Sequence, residues 1–184
     1  VANEISMQYF RTSLNIDNKS DDSPVTIADK NTELKIRSLI EKEYPNHGIL
    51  GEEFDSINPN AEFIWIIDPI DGTRSYIAGH KDFGNLISLT NKKKPIIGII
   101  NCPAHDERWV GIINQPTTHN TKVVKTSKVI NIEDAYLFTS GLYFKEPHLR
   151  NAIEKINNKV RYYRYGGDCY MYGMLASGLI DIVI

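Results

Sequence analysis

The chain has 184 residues, a formal net charge of −2 and 41% hydrophobic residues, a composition typical of a globular protein with a buried core. Its lysines and arginines are scattered, which argues against broad binding of nucleic acid or anionic membranes but allows a small anionic ligand. The two cysteines form no disulfide framework or zinc spacing, and no apolar run approaches the roughly 20 residues that span a bilayer. We therefore expect a cytoplasmic protein that does not cross a membrane.

The first part of the chain is predicted to hold a polar loop, a helix and a short strand. Residues 15–26 are polar and carry Pro24, which predicts a loop. The segment ADKNTELKIRSLIEKEY predicts a helix that Pro45 ends. Its apolar side chains are expected on one helical face: Leu34, Ile36, Leu39, Ile40 and Tyr44. The segment HGILGEEF then predicts a short strand that stops at Gly51-Glu52-Glu53.

The middle of the chain predicts consecutive strands, and the last part alternates strand and helix. EFIWIID is apolar without alternation, the pattern of a strand covered on both faces, and Pro69 is expected to end it at Asp68. Further strands are predicted from LISLT, PIIGIINCP, RWVGII, TKVVKT, AYLFTS, VRYYRYGG and LIDIVI, and helices from EPHLRNAIEKINN and DCYMYGMLASG. This order predicts an α+β or α/β fold of two packed parts, residues 1–132 and 133–184.

Two carboxylates stand at the end of the predicted central strand, in the segment WIIDPIDGTRSY. Asp68 and Asp71 are three residues apart, and a turn at Pro69 can bring both to one point. Like charges held close together raise a pKa unless a cation lies between them, and oxygen ligands suit a hard cation such as Mg²⁺. Glu52 or Glu53, at the end of the preceding strand, could supply a further oxygen.

The residues Gly72, Thr73, Arg74 and Ser75 that follow suit a phosphate group. Glycine allows close approach of the backbone, and a helix that starts here would direct free N–H groups at an anion. The alternative for the dipeptides taken singly is a turn, because Asp-Pro and Asp-Gly are common turn formers. The complete string favours a site that combines a metal and a phosphate.

Three motifs now point to a family. WIIDPIDGT, preceded by GEE and by SPVTIAD, resembles the inositol monophosphatase family of magnesium-dependent phosphomonoesterases, and the resemblance covers nearly the whole chain. It implies a layered αβαβα sandwich. It also implies that Glu52, Asp68, Asp71 and the carbonyl oxygen of Ile70 bind metal, with two or three Mg²⁺ ions in the complete enzyme.

The same resemblance implies the catalytic and phosphate-binding residues. The backbone amides of Gly72 and Thr73 would bind phosphate. Asp29 and Thr73 would orient and activate the attacking water, with Glu52 as a third catalytic residue and Glu53 as a support. The alternative for Asp29 is an acidic residue that stabilises a helix N-terminus. Water attack assisted by metal ions needs no covalent phosphoenzyme.

The substrate side resembles the histidinol-phosphate phosphatase branch, in FGNLISL, QPTTHN and YGGDCYMYGMLASGLIDIVI. The resemblance implies a role in histidine biosynthesis and places Gly167, Asp168 and Cys169 against the alcohol part of the substrate. A carboxylate at Asp168 suits the ammonium and imidazole groups of histidinol phosphate. The alternative is that Asp168 caps a helix that ends at Gly178. Arg74 is a further candidate for phosphate contact. Inositol 1-phosphate or another small phosphate remains an alternative substrate.

The family pattern continues beyond Ile184, where an aspartate completes the second metal site. Asp181 matches an earlier position of that pattern and does not replace this aspartate. We expect either a complete enzyme with further C-terminal residues or a truncated, inactive or regulatory form. The resemblance also implies a homodimer that acts on a small phosphate ester.

Overall fold

The computed structural model describes residues 1–13, 16–18, 24–141 and 146–184. Its helices are α1 (Ala2–Tyr9), α2 (Ile27–Glu43), α3 (Thr73–Ile77), α4 (Pro147–Asn157) and α5 (Asp168–Ala176). Its strands are β1 (Ile16–Asn18), β2 (Pro24–Thr26), β3 (Gly48–Gly51), β4 (Phe63–Asp71), β5 (Gly84–Asn91), β6 (Lys94–Cys102), β7 (Glu107–Ile112), β8 (Thr118–His119), β9 (Lys122–Val123), β10 (Tyr136–Thr139), β11 (Tyr162–Tyr165) and β12 (Ile182–Val183). None of these helices is long and apolar enough to cross a membrane.

Two larger sheets organise the chain. The large sheet has the strand order β3-β4-β5-β6-β7-β8-β9, in which β3 is parallel to β4 and each later pair is antiparallel. The small sheet has the order β11-β10-β12 with parallel pairs. Parallel neighbours need crossover connections, and α4 and α5 supply them. The predicted change from consecutive strands to alternation is therefore confirmed.

Helices α2 and α5 cover opposite faces of the large sheet. Ile87 on β5 packs in the cluster that contains Ile36 and Ile40 of α2. Its neighbour Leu86 packs in the cluster that contains Cys169 of α5. Because successive side chains of a strand point to opposite faces, the sheet lies between the two helices. Helix α5 also contacts β10 and β12 of the small sheet, which gives the layered arrangement.

The predicted polar loop at residues 15–26 is wrong where the structure describes it. Strands β1 and β2 form an antiparallel pair, with Ile16 opposite Thr26 and Asp17 opposite Val25. The β-branched side chains of Ile16, Val25 and Thr26 favour extended backbone, and the loop prediction rested on the polar residues between them. Residues 19–23, including Ser23 of the SPVTIAD segment, lie outside the described residues.

The predicted helix is confirmed as α2, but only Ile36 and Ile40 of its predicted apolar face are buried. Leu34, Leu39 and Tyr44 are exposed, whereas Glu33 and Arg37 are buried. The two charged side chains form an ion pair one helical turn apart, with Arg37 Nε 2.7 Å from Glu33 Oε1. Hydrophobic periodicity alone misplaces such a helix, because it assigns every charged residue to solvent.

Strand β4 runs to Asp71, so the prediction that Pro69 ends it at Asp68 is wrong. The pairing with β5 shifts register between Asp68 and Asp71, and this irregularity accommodates the proline. The prediction that both faces are covered is also wrong at Ile66, which is 41% exposed.

The N-cap of α5 is Gly167, so the alternative that Asp168 caps this helix is wrong. The helix ends at Ala176, two residues before the predicted end at Gly178. Asp168 is the first helical residue and has φ of +39°. The large sheet lies before Glu133 and the small sheet after it, but α5 packs on both, so the two-part division stays a prediction.

Candidate metal and phosphate site

The turn after β4 places a helix start beside the two carboxylates. Gly72 is the N-cap of α3 with φ of +80°, a left-handed conformation that favours glycine. A Cβ atom at Gly72 would lie 3.0 Å from the carbonyl oxygen of Asp82 and 3.0 Å from the side chain of Asp168. The close approach of this backbone to its neighbours therefore depends on the glycine.

The segment that carries Glu52 is held by a buried ion pair. Glu33 Oε2 accepts hydrogen bonds from the backbone N–H groups of Glu52, at 3.0 Å, and Glu53, at 2.8 Å. Arg37 bonds the other oxygen of Glu33 and donates to the carbonyl oxygens of Phe54 and Asp55. Sequence reasoning missed this pair. The i,i+4 spacing of an acid and a base on a predicted helix was the available signal.

Burial and mutual repulsion perturb the carboxylates. Burial, followed by the charges of Glu52 and Asp71, raises the pKa of Asp68 to about 8. Asp68 Oδ1 is buried without a hydrogen-bond partner in the described part of the chain. Burial also raises the pKa of Asp71. A cation would relieve the repulsion and satisfy the orphaned oxygen, so the donor set fits Mg²⁺.

The predicted ligand side chains do not form a closed metal-binding cluster in the described part of the chain. Within the described ranges, no three His, Cys, Asp or Glu side chains are close enough together to hold a metal ion. Asp71 Oδ2 instead accepts a hydrogen bond from the backbone N–H of Cys169, at 2.7 Å. The carbonyl oxygen of Ile70 accepts one from Thr73 Oγ1, at 3.0 Å. Metal ligation by Glu52, Asp68, Ile70 and Asp71 stays a prediction.

The predicted pair of Asp29 and Thr73 is brought together. Thr73 Oγ1 lies 3.4 Å from Asp29 Oδ1. Asp29 Oδ2 accepts hydrogen bonds from the backbone N–H and the hydroxyl of Thr26, which completes the capping box of α2. The alternative that Asp29 stabilises a helix N-terminus is therefore confirmed, and its catalytic role stays a prediction. Burial raises the pKa of Asp29.

A cavity of about 270 Å³ opens beside Glu52 and the start of α3. Its lining comes from both parts of the chain: Pro24, Glu52, Gly72, Thr73, Arg74, Ser75, Ser140, Gly166 and Asp168. Ser75 donates a hydrogen bond of 2.5 Å to Asp168 Oδ2 and so fixes this carboxylate at the cavity wall. Sequence reasoning missed Ser75 as its partner, because 93 residues separate the two.

Two predicted substrate residues lie elsewhere. The side chain of Cys169 is 2% exposed and packs with Cys102 and Trp109 in the core, so it does not line this cavity, and its contact with the substrate stays a prediction. A hydrogen bond with Cys102, together with burial, raises the pKa of the Cys169 thiol. Gly166 lines the cavity in place of Gly167, which caps α5.

Relatives of this chain include a histidinol-phosphatase and inositol monophosphatases, which are phosphoric monoester hydrolases. The family model "Inositol monophosphatase family" matches residues 1–184, so the chain belongs to the inositol monophosphatase family. The phosphatases of this family are Mg²⁺-dependent. The predicted family and fold are thereby confirmed.

Individual relatives differ in their names. The bifunctional phosphatase IMPL2, chloroplastic, of Arabidopsis thaliana is 40% identical over 98% of this chain and 53% of its own length. The histidinol-phosphatase of Chlorobaculum parvum is 35% identical over 100% of this chain and 71% of its own length. A solved inositol monophosphatase structure from Zymomonas mobilis is 43% identical, with a TM-score of 0.88 over 100% of this chain and 71% of that chain. This chain thus spans about half the length of the first relative.

Proposed function

We propose that this chain carries the metal and phosphate site of a Mg²⁺-dependent phosphomonoesterase that hydrolyses histidinol phosphate. The observation that carries the proposal is the cavity itself. It combines the start of α3 at Gly72 and Thr73 with the carboxylates of Glu52 and Asp168. A phosphate ester with a cationic alcohol part matches this distribution of charge.

In this proposal Glu52, Asp68, Asp71 and the carbonyl oxygen of Ile70 hold Mg²⁺. The bound ion supplies Lewis-acid chemistry, because it withdraws electron density from the phosphoryl oxygens and from the attacking water. The chain supplies the fixed oxygens, and the Glu33–Arg37 pair keeps the Glu52 backbone in place. Two or three ions in the complete enzyme, a homodimer and a cytoplasmic location belong to the same proposal.

The pair of Thr73 and Asp29 would position the attacking water. Thr73 Oγ1 lies 3.0 Å from the Ile70 carbonyl oxygen and 3.4 Å from Asp29 Oδ1. If its single hydroxyl proton turned from Ile70 to Asp29, the hydroxyl could pass that proton to the carboxylate while it accepts one from water. The second oxygen of Asp29 is held by Thr26, which fixes the direction of the first. The amides at the start of α3 would meanwhile hold the phosphate in line with the water.

The choice of histidinol phosphate rests on Asp168. Its carboxylate lines the cavity, and the hydrogen bond from Ser75 fixes its orientation. An ammonium group on the substrate would be attracted to it, whereas a neutral polyol would gain less. The name of the Chlorobaculum parvum relative, which matches over the whole of this chain, supports the same substrate.

The alternative is an inositol 1-phosphate phosphatase. The Zymomonas mobilis protein, named an inositol monophosphatase, is 43% identical to this chain and supports this alternative. The phosphate groups of the two substrates would occupy the same end of the cavity, so the alcohol side decides between them.

A substrate comparison tests the proposal. We would measure kcat/KM for histidinol phosphate, inositol 1-phosphate and fructose 1,6-bisphosphate with Mg²⁺, in the wild type and in Asp168→Asn. Histidinol phosphate should be preferred, and Asp168→Asn should reduce that preference about 10-fold. The control Asp134→Asn, at an exposed position 34 residues before Asp168 in the sequence, should not reduce that preference. A preference for inositol 1-phosphate would reject histidinol phosphate as the substrate and favour the alternative.

A further inference from the structure

The pairing of β4 with β5 is irregular where the candidate metal ligands lie. Asp68 pairs with Leu86 and Asp71 pairs with Gly84. Pro69 and Ile70 therefore lie opposite a single residue, Asn85, which is the arrangement of a β-bulge. Such a bulge breaks the regular ladder of backbone hydrogen bonds and needs other partners for the groups that it frees.

The side chain of Asn85 replaces the lost backbone partner. Asn85 is 1% exposed, and its Nδ2 donates a hydrogen bond of 2.7 Å to the carbonyl oxygen of Pro69. The next carbonyl, that of Ile70, is then directed to Thr73 Oγ1. The segment FGNLISL, singled out in the sequence, thus contains a residue that holds the bulge.

The amide of Asn85 is itself held in one orientation. Its Oδ1 accepts a hydrogen bond of 2.8 Å from Asn101 Nδ2. Asn101 Oδ1 in turn accepts one of 2.8 Å from Arg108 Nε, and Asn101 Nδ2 also bonds Asn3 Oδ1 at 2.5 Å. Because Asn85 Oδ1 accepts the hydrogen bond from Asn101, the amide is oriented with its NH₂ group toward Pro69.

We propose that Asn85 is a positioning residue for the metal site. It fixes the bulge at Pro69 and Ile70, so that Asp68, the Ile70 carbonyl and Asp71 keep the relative positions that Mg²⁺ binding needs. The inference rests on the proposed Mg²⁺-dependent function. It goes beyond that function, because it assigns a role to a side chain that touches neither metal nor substrate. Residues that orient metal ligands contribute to affinity in this way.

A matched pair of variants separates positioning from ordinary stabilisation. Asn85→Leu removes the bond to Pro69 with little change of volume. The control is Thr90→Val, because Thr90 Oγ1 on β5 also donates to a carbonyl oxygen of β4, that of Ile64, at 3.1 Å. Thr90 is likewise buried, at 4% exposed, but lies far along the strands from the bulge.

The measurement is the Mg²⁺ dissociation constant by calorimetric titration of the full-length protein, with urea denaturation alongside. Both variants should lose stability. Asn85→Leu should bind Mg²⁺ about 10-fold more weakly, and Thr90→Val should bind like the wild type. Wild-type affinity in folded Asn85→Leu, or equal weakening in Thr90→Val, would overturn the inference.

A second variant decides the question if Asn85→Leu does not fold. Asn101→Asp keeps the acceptor for Arg108 but loses the donor to Asn85. Because this variant also adds a negative charge, an uncharged variant that loses the same donor, Asn101→Leu, is measured beside it. Weaker Mg²⁺ binding by Asn101→Leu would support the loss of orientation, and unchanged or tighter binding by Asn101→Leu would overturn it. If the wild type binds no Mg²⁺, the proposed function and this inference are both rejected. If the wild type binds Mg²⁺, the proposed function stands even where Asn85→Leu binds Mg²⁺ normally.

Discussion

Replacement of Asp68 by Asn should stabilise the protein when Mg²⁺ is withheld. The carboxyl is buried beside Glu52 and Asp71, and its Oδ1 has no hydrogen-bond partner among the described residues. Without a cation, ionisation of Asp68 opposes folding because its charge is desolvated and repelled. An amide of the same shape carries no charge and removes that cost.

The size of the effect follows from the pKa. In the folded protein the pKa of Asp68 is about 8, against an ordinary value of 3.8. Each pH unit of that difference corresponds to about 1.4 kcal/mol, so at pH 7 keeping this carboxyl protonated in the fold, while the unfolded chain ionises it, costs at most ~4 kcal/mol. Relaxation and entry of water reduce such costs, so we expect Asp68→Asn to gain roughly 2 kcal/mol in the free energy of unfolding.

The sign of the pH dependence is fixed by proton binding. Between the two pKa values the folded state binds more protons at Asp68 than the unfolded state does, so wild-type stability falls as pH rises. The loss of stability caused by Asp68 is nearly absent below the pKa that this residue has in the unfolded chain, and it is complete above its pKa in the folded protein. The gain in Asp68→Asn should therefore be small at about pH 5 and larger at about pH 8.

Urea denaturation with EDTA, at both pH values, checks this prediction. The exposed Asp55 provides the control, because Asp55→Asn should show no pH-dependent gain. Equal gains at the two pH values, or a loss of stability at about pH 8, would refute the idea that a repelled carboxylate lies at this position.

Two further changes test the residues around the site. Glu33→Gln should lower the free energy of unfolding by about 3 kcal/mol, because it leaves a buried arginine without its ion pair. The control Glu43→Gln, on the surface, should change the free energy of unfolding by less than about 0.5 kcal/mol. Urea denaturation measures both. Ser75→Ala should raise the KM for histidinol phosphate about 5-fold with little change in kcat, because Asp168 loses its orienting bond. Steady-state kinetics would contradict the latter if kcat fell and KM did not change.

Much of the site could be predicted because it is local in sequence. One short stretch contains Asp68, Asp71, Gly72 and Thr73. Its apolar residues, followed by carboxylates and a glycine, indicate where the strand ends and the helix begins. The helix at Thr73 begins where the glycine predicted it. Such local patterns can be predicted because they depend on properties of single residues, such as the conformational freedom of glycine and the free N–H groups at a helix start.

The rest of the site depends on contacts between distant segments. Ser75 and Asp168 meet only when α5 packs against the large sheet. Asn85 acquires its partner because β5 pairs with the bulge of β4. The burial of Glu33 could not be predicted from the sequence, because charged residues are rarely buried without a partner and its partners include backbone groups about 20 residues away.

The most direct test of the central claim is phosphate release from histidinol phosphate as Mg²⁺ is titrated into chelator-treated protein. We predict that release requires Mg²⁺, saturates with it, and falls at least about 100-fold in Asp71→Asn. Release that needs no Mg²⁺, or that Asp71→Asn leaves unchanged, would contradict a metal and phosphate site at the end of β4.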